Sequence, residues 1–276
     1  MTHLIAVFHV SERFACRVVR VARSAYRRQP VDATPADPDA WLRDWLRVYA
    51  KAHPRWGYRR AHADLRKEGA RVNHKKVQRL WRQEGLKVPV KRHRKRVGVS
   101  TAVLPAADAP NKVWAVDFQF DSDENGKKIK IANLVDEHTR ECLACLVERA
   151  IPAPALTRML DQVVAQRGYP QAIRADNGPE FASQALAAWA DGHAGLVFIP
   201  PGTPWNNGYV ESFNSRLRDE CLNVNSFWNL RHARAVVAIW RDEYNTTRPH
   251  SALGYLTPVA YAATLETTKD TNESHT

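Results

Sequence analysis

The sequence predicts an α/β protein in which a mixed five-stranded sheet with flanking helices follows a small all-α domain containing a helix-turn-helix. Three observations predict it. From residue 111 onward, three strand-like runs are followed by helix, strand, helix, strand and a long helix. Upstream, two helix-length stretches joined by a short turn each end at a glycine. The positive charge is also localised: residues 51–100 hold 17 Lys and Arg against 3 Asp and Glu, in a chain whose net charge is +12.

A chain of 276 residues, 44% hydrophobic and 25% charged, is long enough to bury a substantial core. No apolar run approaches the roughly 18 to 20 residues of a membrane span, and Glu12 and Arg13 interrupt the apolar start that a signal peptide would need. The sequence therefore reads as cytoplasmic, with no membrane partner. A concentrated cationic block favours a polyanion, most often nucleic acid; the alternative is a solvated face that aids solubility.

In chain order, residues 1–36 form an N-terminal helical segment with a helix around Ser11 to Tyr26 and a Pro-containing linker. Residues 37–86 form the helix-turn-helix domain. Its first helix starts at Asp37 and Pro38 and carries Trp41, Leu42, Trp45, Leu46, Val48 and Tyr49 as a core stripe. The next two stretches run Gly57–Gly69 and Val72–Gly85. In the second, Val77, Leu80 and Trp81 face inward, leaving Asn73, Lys75, Lys76, Gln78, Arg79 and Arg82 for phosphates and base edges. An ordinary basic helical hairpin is the alternative. Residues 87–110 read as an interdomain linker whose strip Lys91, Arg92, Arg94, Lys95 and Arg96 can lie along a DNA backbone.

The α/β core spans 111–222. Its strands are expected at Val113 to Phe120, Lys128 to Val135, Glu141 to Val147, Ala172 to Ala175 and Leu196 to Ile199, the first two joined by an Asn-Gly turn. Helices are expected at Ala155 to Gln166, Ser183 to Ala190 and from Val210. A helical segment follows over 223–262, then a polar, disordered tail over 263–276. Cys142 and Cys145 form a C-x-x-C, but strand residues three apart point to opposite faces and no second pair follows, so reduced, partly buried thiols are expected rather than a metal site.

Three acids stand at informative positions. Asp117 lies within the first strand, Asp176 at the end of the fourth, and Glu211 at the start of the helix after the fifth. If the first and fourth strands are neighbours, two carboxylates meet at the sheet and the helix brings the third over them. Such a cluster raises the pKa values of its members unless cations are bound, and hard cations take oxygen ligands. Asn214 and Arg218 share the Glu211 side of the helix and are expected to meet the substrate, while Val210, Phe213, Leu217 and Cys221 pack.

Trp114-Ala115-Val116-Asp117, Ala175-Asp176-Asn177-Gly178-Pro179-Glu180-Phe181, Asn207-Gly208-Tyr209-Val210-Glu211-Ser212-Phe213-Asn214, Tyr244-Asn245 and Arg248 to Pro258 together resemble the second-reading-frame (OrfB) transposases of the "insertion sequence three" family. Gly57-Tyr58-Arg59-Arg60 and Val72 to Trp81 match that family's helix-turn-helix segment. The resemblance covers residues from about 10 to 262. It implies a ribonuclease-H-like core similar to retroviral integrases, with Asp117, Asp176 and Glu211 as an acidic triad binding two Mg²⁺ or Mn²⁺ ions. The 34 residues between the last two acids are one fewer than the family's commonest spacing. Implied too are cleavage and strand transfer on double-stranded DNA, a homo-oligomer on that DNA, and a first-frame OrfA protein or fusion as partner. No heptad run of the kind such a partner contributes is visible. The rival readings are a non-catalytic DNA-binding regulator or inactive remnant, and a general ribonuclease-H-like nuclease.

Overall fold

The structure, a computed structural model, describes residues 2–27, 37–88, 107–176, 178, 181, 183–199 and 208–273, the last eight for backbone only. Contacts divide the chain into Met1–Val48 and Tyr49–Thr276, so the division falls within a helix rather than in the expected linker over 87–110.

In the first unit, α2 (Glu12–Val18) and α3 (Arg23–Arg27) replace the single helix expected around Ser11 to Tyr26, and α1 (Thr2–Phe8) precedes them. The break comes at Arg20, whose φ of 54° is incompatible with a continuing right-handed helix. Ser11 caps α2 by accepting from Phe14 N. Helix α4 (Ala40–Ala52) begins after a turn in which Asp37 Oδ1 accepts from Asp39 N. Its stripe is narrower than expected: Leu42, Leu46 and Tyr49 are buried, but Trp41 and Val48 are exposed.

In the second unit, α5 (Tyr58–Lys67) and α6 (His74–Gln83) pack through Ala61, Leu65, Val77, Leu80 and Trp81, all buried. The turn between them needs Gly69, at φ +89°, and α6 opens on Asn73, whose side chain accepts from Lys75 N at 2.9 Å.

The sheet has the order β3-β2-β1-β4-β5. Strands β1 (Val113–Ser122), β2 (Lys128–Asp136) and β3 (Cys142–Glu148) form an antiparallel meander, and β4 (Ala172–Ala175) and β5 (Gly195–Phe198) add in parallel on the far side of β1. The β1–β2 turn forms because Gly126 takes φ +71° and Asp123 accepts from the amides of Asn125 and Lys127. Period-two alternation gives the sheet two apolar faces. Trp114, Val116, Ile173 and Ala175 pack with α7 (Ala153–Arg167) and α8 (Gln184–Ala190). On the other face Ala115, Ile129, Ile131 and Val135 pack with α9 (Gly208–Glu220) and α10 (Leu230–Thr246).

A β-bulge in β3 overturns the expected placement of the cysteines. The register shifts at Leu134/Val135, so that Val135 pairs with Cys142 and Leu134 with Ala144. The extra residue breaks the alternation, Cys142 and Cys145 fall on the α9–α10 face together, and their sulfurs stand 3.3 Å apart. Asn245 of α10 then covers the edge strand, donating to Cys142 C=O and accepting from Cys142 N, both at 2.9 Å.

The expected disordered tail is also revised: α11 (Pro258–Glu273) continues the chain as helix. It is started by proline at its first position and by Thr257 Oγ1, which accepts from Ala260 N at 3.2 Å.

Arg174 on β4 and Glu137 beyond β2 form a buried pair, with bonds of 2.6 and 2.7 Å. Burial pushes the Glu137 carboxyl up, against the pull of Arg174. Glu137→Gln leaves a buried guanidinium without its counter-charge and is expected to cost about 3–5 kcal/mol, read as a lower urea midpoint. Replacing both partners with apolar residues of similar volume should recover most of that loss; a single variant as stable as the wild type would contradict this account.

Candidate active site

The pleat decides which residues of β1 meet α9. Trp114, Val116 and Phe118 belong to the α7–α8 side, so Ala115, Asp117 and Gln119 turn to the other. Asp117 lies opposite Asn133 of β2. On its other flank β1 pairs with β4, Ala115 opposite Arg174. Continuing that register by two residues sets Asp176, the residue after β4, alongside Asp117. Glu211 stands in the first turn of α9, which is anchored by the buried Val210, Phe213 and Leu217. Asp117 is half-buried, whereas Asp176 and Glu211 are exposed.

Each acid is held differently. Asp117 Oδ1 accepts from Phe118 N and Oδ2 from Asn214 Nδ2, both at 2.8 Å. Burial pushes its carboxyl up to about 6, helped by the charges of Asp176 and Glu211 and opposed by those two hydrogen bonds. Asp176 Oδ1 accepts from Gly178 N at 3.0 Å. A Cβ on Gly178 would come within 2.9 Å of that same oxygen, so the close approach requires glycine. The loop is fixed further by Phe181, which is fully buried and stacks on Phe118 with centroids 4.5 Å apart. Among the described residues, no three His, Cys, Asp or Glu side chains are gathered into a ready metal-ligand group. The three carboxylates are linked through their charges.

The helix residues expected to face substrate are occupied by the sheet. Asn214 donates to Asp117, accepts from Asn133 Nδ2 at 2.7 Å, and through its carbonyl accepts from Gln119 Nε2 at 3.0 Å. Arg218 is ion-paired with Asp121 at 2.8 Å and donates to Phe120 C=O. It pins α9 to the end of β1. Asn133 and Gln119 were missed by sequence reasoning. Their signal is a fully buried Asn within the apolar run Ile129–Val135, and a Gln two residues after Asp117 on the same face.

On α6, Lys75, Arg79 and Arg82 are exposed and Lys76 and Gln78 are partly buried, while the Asn73 carboxamide oxygen is taken by the helix cap. Lys91, Arg92, Arg94, Lys95 and Arg96 lie outside the described residues.

The raised Asp117 value carries a sign. The folded state binds this proton more tightly than the unfolded chain, whose ordinary value is 3.8. Stability should therefore fall as pH rises from about 4 to about 6 and stay level above, for this group. In divalent-free buffer, Asp117→Asn should melt higher than the wild type above pH 7 and level with it near pH 4. A variant that melts lower at pH 8 would show that the ionised carboxylate is not a cost to the fold.

Residues 39–95 match the HTH-like domain, and residues 107–202 and 194–258 match two integrase core domain families. The chain is 43% identical to the 31.7 kDa protein of insertion element IS407 from Burkholderia multivorans, over 95% of this chain and 94% of that one. It is 26% identical to the transposase InsF for insertion sequence IS3A from Escherichia coli, over 88% and 91%. Among solved structures, the HTLV-2 integrase catalytic core domain in complex with magnesium is similar, with 18% identity over 55% of this chain and 97% of that one and a TM-score of 0.45. The helix-turn-helix, the integrase core and the insertion-element relatives agree: the chain belongs to the "insertion sequence three" family of transposases.

Proposed function

We propose that this transposase cuts phosphodiester bonds at the ends of a mobile DNA element and joins the freed 3′ end to new DNA, with Asp117, Asp176 and Glu211 as the residues that hold two Mg²⁺ or Mn²⁺ ions. The observation that carries the reading is the placement of the three acids: the β1–β4 register sets Asp176 alongside Asp117, and Glu211 stands in the first turn of α9, close enough for both charges to add to the burial that raises the Asp117 carboxyl. A cation relieves that cost, and three carboxylates are the hard oxygen donors that such ions take. Bound there, the ions supply Lewis-acid stabilisation of the attacking and leaving oxygens.

The chain's own contribution is placement. Asn214 holds Asp117 Oδ2 and fixes the plane of the carboxylate, and Gly178 N does the same for Asp176 Oδ1. Without a bound cation the Asp117 carboxyl is pushed up to about 6, so protons compete with the ions for it and lowering the pH should raise the Mg²⁺ concentration needed for half-maximal activity. The nucleophile is water and then the 3′-hydroxyl, without a covalent enzyme intermediate. Lys75, Arg79 and Arg82 of α6 bind the duplex, and the protein acts as a homo-oligomer on DNA, with a first-frame protein or fusion as partner. The second reading is a non-catalytic DNA-binding regulator. Its support is the helix-turn-helix, which matches an HTH-like domain over residues 39–95 and needs no acidic cluster to bind DNA.

Asp117→Asn, Asp176→Asn and Glu211→Gln should each abolish Mg²⁺-dependent nicking and strand transfer on DNA carrying the element's ends, with DNA binding retained. Asn214→Ala should lower activity about 10- to 100-fold, with partial rescue at raised Mg²⁺, as expected of a positioning residue. Mg²⁺ should also raise the melting temperature of the wild type and not that of Asp117→Asn. A wild-type protein that binds these ends and never cuts them with Mg²⁺ or Mn²⁺ would establish the regulator reading instead.

A further inference from the structure

A second feature lies on the first turns of α9, apart from the carboxylates. A cavity of about 470 Å³ opens between α9, the β2–β3 turn and the segment after α10. Four arginines line it: Arg60 from α5, Arg140 from the turn, Arg216 from α9 and Arg248 from beyond α10. Among the described residues, no carboxylate lines it. Glu220, outside the cavity, accepts from Arg248 at 2.6 and 2.7 Å and from Arg60 at 3.5 Å.

That carboxylate accounts for two of the four. Arg140 and Arg216 form no ion pair among the described residues. The Arg140 guanidinium lies over the Tyr209 ring at 3.7 Å, with its Nη1 buried and without a hydrogen-bond partner. Its backbone is held at φ 66°, a conformation that non-glycine residues adopt only where the surroundings enforce it. The excess charge is felt within the cluster: burial first, then Arg248 and Arg216, bring Arg60 down to about 10. Gathering cations in a concave site against their repulsion is stabilising only when an anion fills it, and arginine forks match phosphate oxygens two at a time. The N-terminus of the 13-residue α9, whose Gly208, Tyr209 and Ser212 also line the cavity, adds donors and positive potential of the same sense.

We propose that this cavity is a phosphodiester-binding site, in which Arg140 and Arg216 hold the backbone of the DNA strand next to the acidic cluster. Ser212 adjoins Glu211 in sequence, so a strand seated here passes the first turn of α9. The proposal rests on the reading of this protein as a DNA-cutting transposase; the small-anion alternative, free inorganic phosphate, shares the same chemistry.

The test is the salt dependence of binding to a labelled double-stranded DNA of random sequence, in EDTA, with the full chain. Each phosphate that a variant no longer neutralises should reduce the slope of log K against log salt by about 0.9. Arg140→Gln and Arg216→Gln should each show such a reduction, equal across sequences, and Arg140→Lys should restore part of it. Arg216 is exposed, so its substitution leaves the fold intact; an unchanged slope for Arg216→Gln overturns the proposal. So does a rise in melting temperature with inorganic phosphate that both Gln variants abolish while their DNA slopes stay at the wild-type value. Asp117→Asn, measured in parallel, should bind with the wild-type slope. If it still cut DNA, the triad reading would fail while the slopes of the arginine variants kept their meaning.

Discussion

The parallel pairing of β1 with β4 brings two carboxylates, distant in sequence, to neighbouring positions on one face of a sheet. Left to themselves, Asp117 and Asp176 repel. That repulsion adds to the burial that raises the Asp117 carboxyl. The same two strands bury Trp114, Val116, Ile173 and Ala175 against α7 and α8. A large apolar side chain removed from water contributes about 1.5–3 kcal/mol, and several act together here. Packing on one face therefore outweighs repulsion on the other. The sheet can present an acidic pair because the opposite side of the same strands is a core.

The third acid depends on a different interaction. Glu211 sits where α9 begins, and α9 is positioned by a buried carboxylate at its other end, Glu220, held in a two-bond pair by Arg248 and approached by Arg60 of α5. Asp219 adds an ion pair with Arg55 at 3.1 Å. These contacts join the helix that carries Glu211 to the first helix of the helix-turn-helix pair. The segment after α10 is thereby structural: Arg248 is 3% exposed, and His250, pushed down to about 3 by burial and by Arg248, is neutral and packs edge-on against Tyr244. Arg248 thus holds α9, and His250 fastens the segment to the end of α10 through the Tyr244 carbonyl.

What the sequence made legible was whatever depends on period and punctuation. The five strands, the helices flanking them, the buried stripe of α6 and the element ends carrying the three acids all follow from alternation, 3.6-residue spacing and glycine stops. Less accessible were features set by local register or by partners distant in sequence. A bulge has no compositional signature, so Cys142 and Cys145 read as facing apart when they meet. Arg218 and Asn214 lie on the expected face of α9, but a helical wheel cannot say that Asp121 and Asp117 stand opposite them. Trp41 and Val48 fit an apolar spacing without being covered. The tail misled for a related reason: its composition is polar, yet proline and the Thr257 cap start a helix from a packed residue, Leu253, a few positions upstream.

Asn214 shows what the site requires of its neutral members. Its amide nitrogen donates to Asp117 and its oxygen accepts from Asn133, a fully buried residue of the adjacent strand. An aspartate there would supply only acceptors and add a negative charge beside Asp117, whose carboxyl is already pushed up by burial and by its acidic neighbours. A lysine would neutralise Asp117. A carboxamide does neither, because it is polar at both ends and uncharged. The helix can thus be fastened to the strand through an oxygen of Asp117 itself without a further charge being brought to that carboxylate.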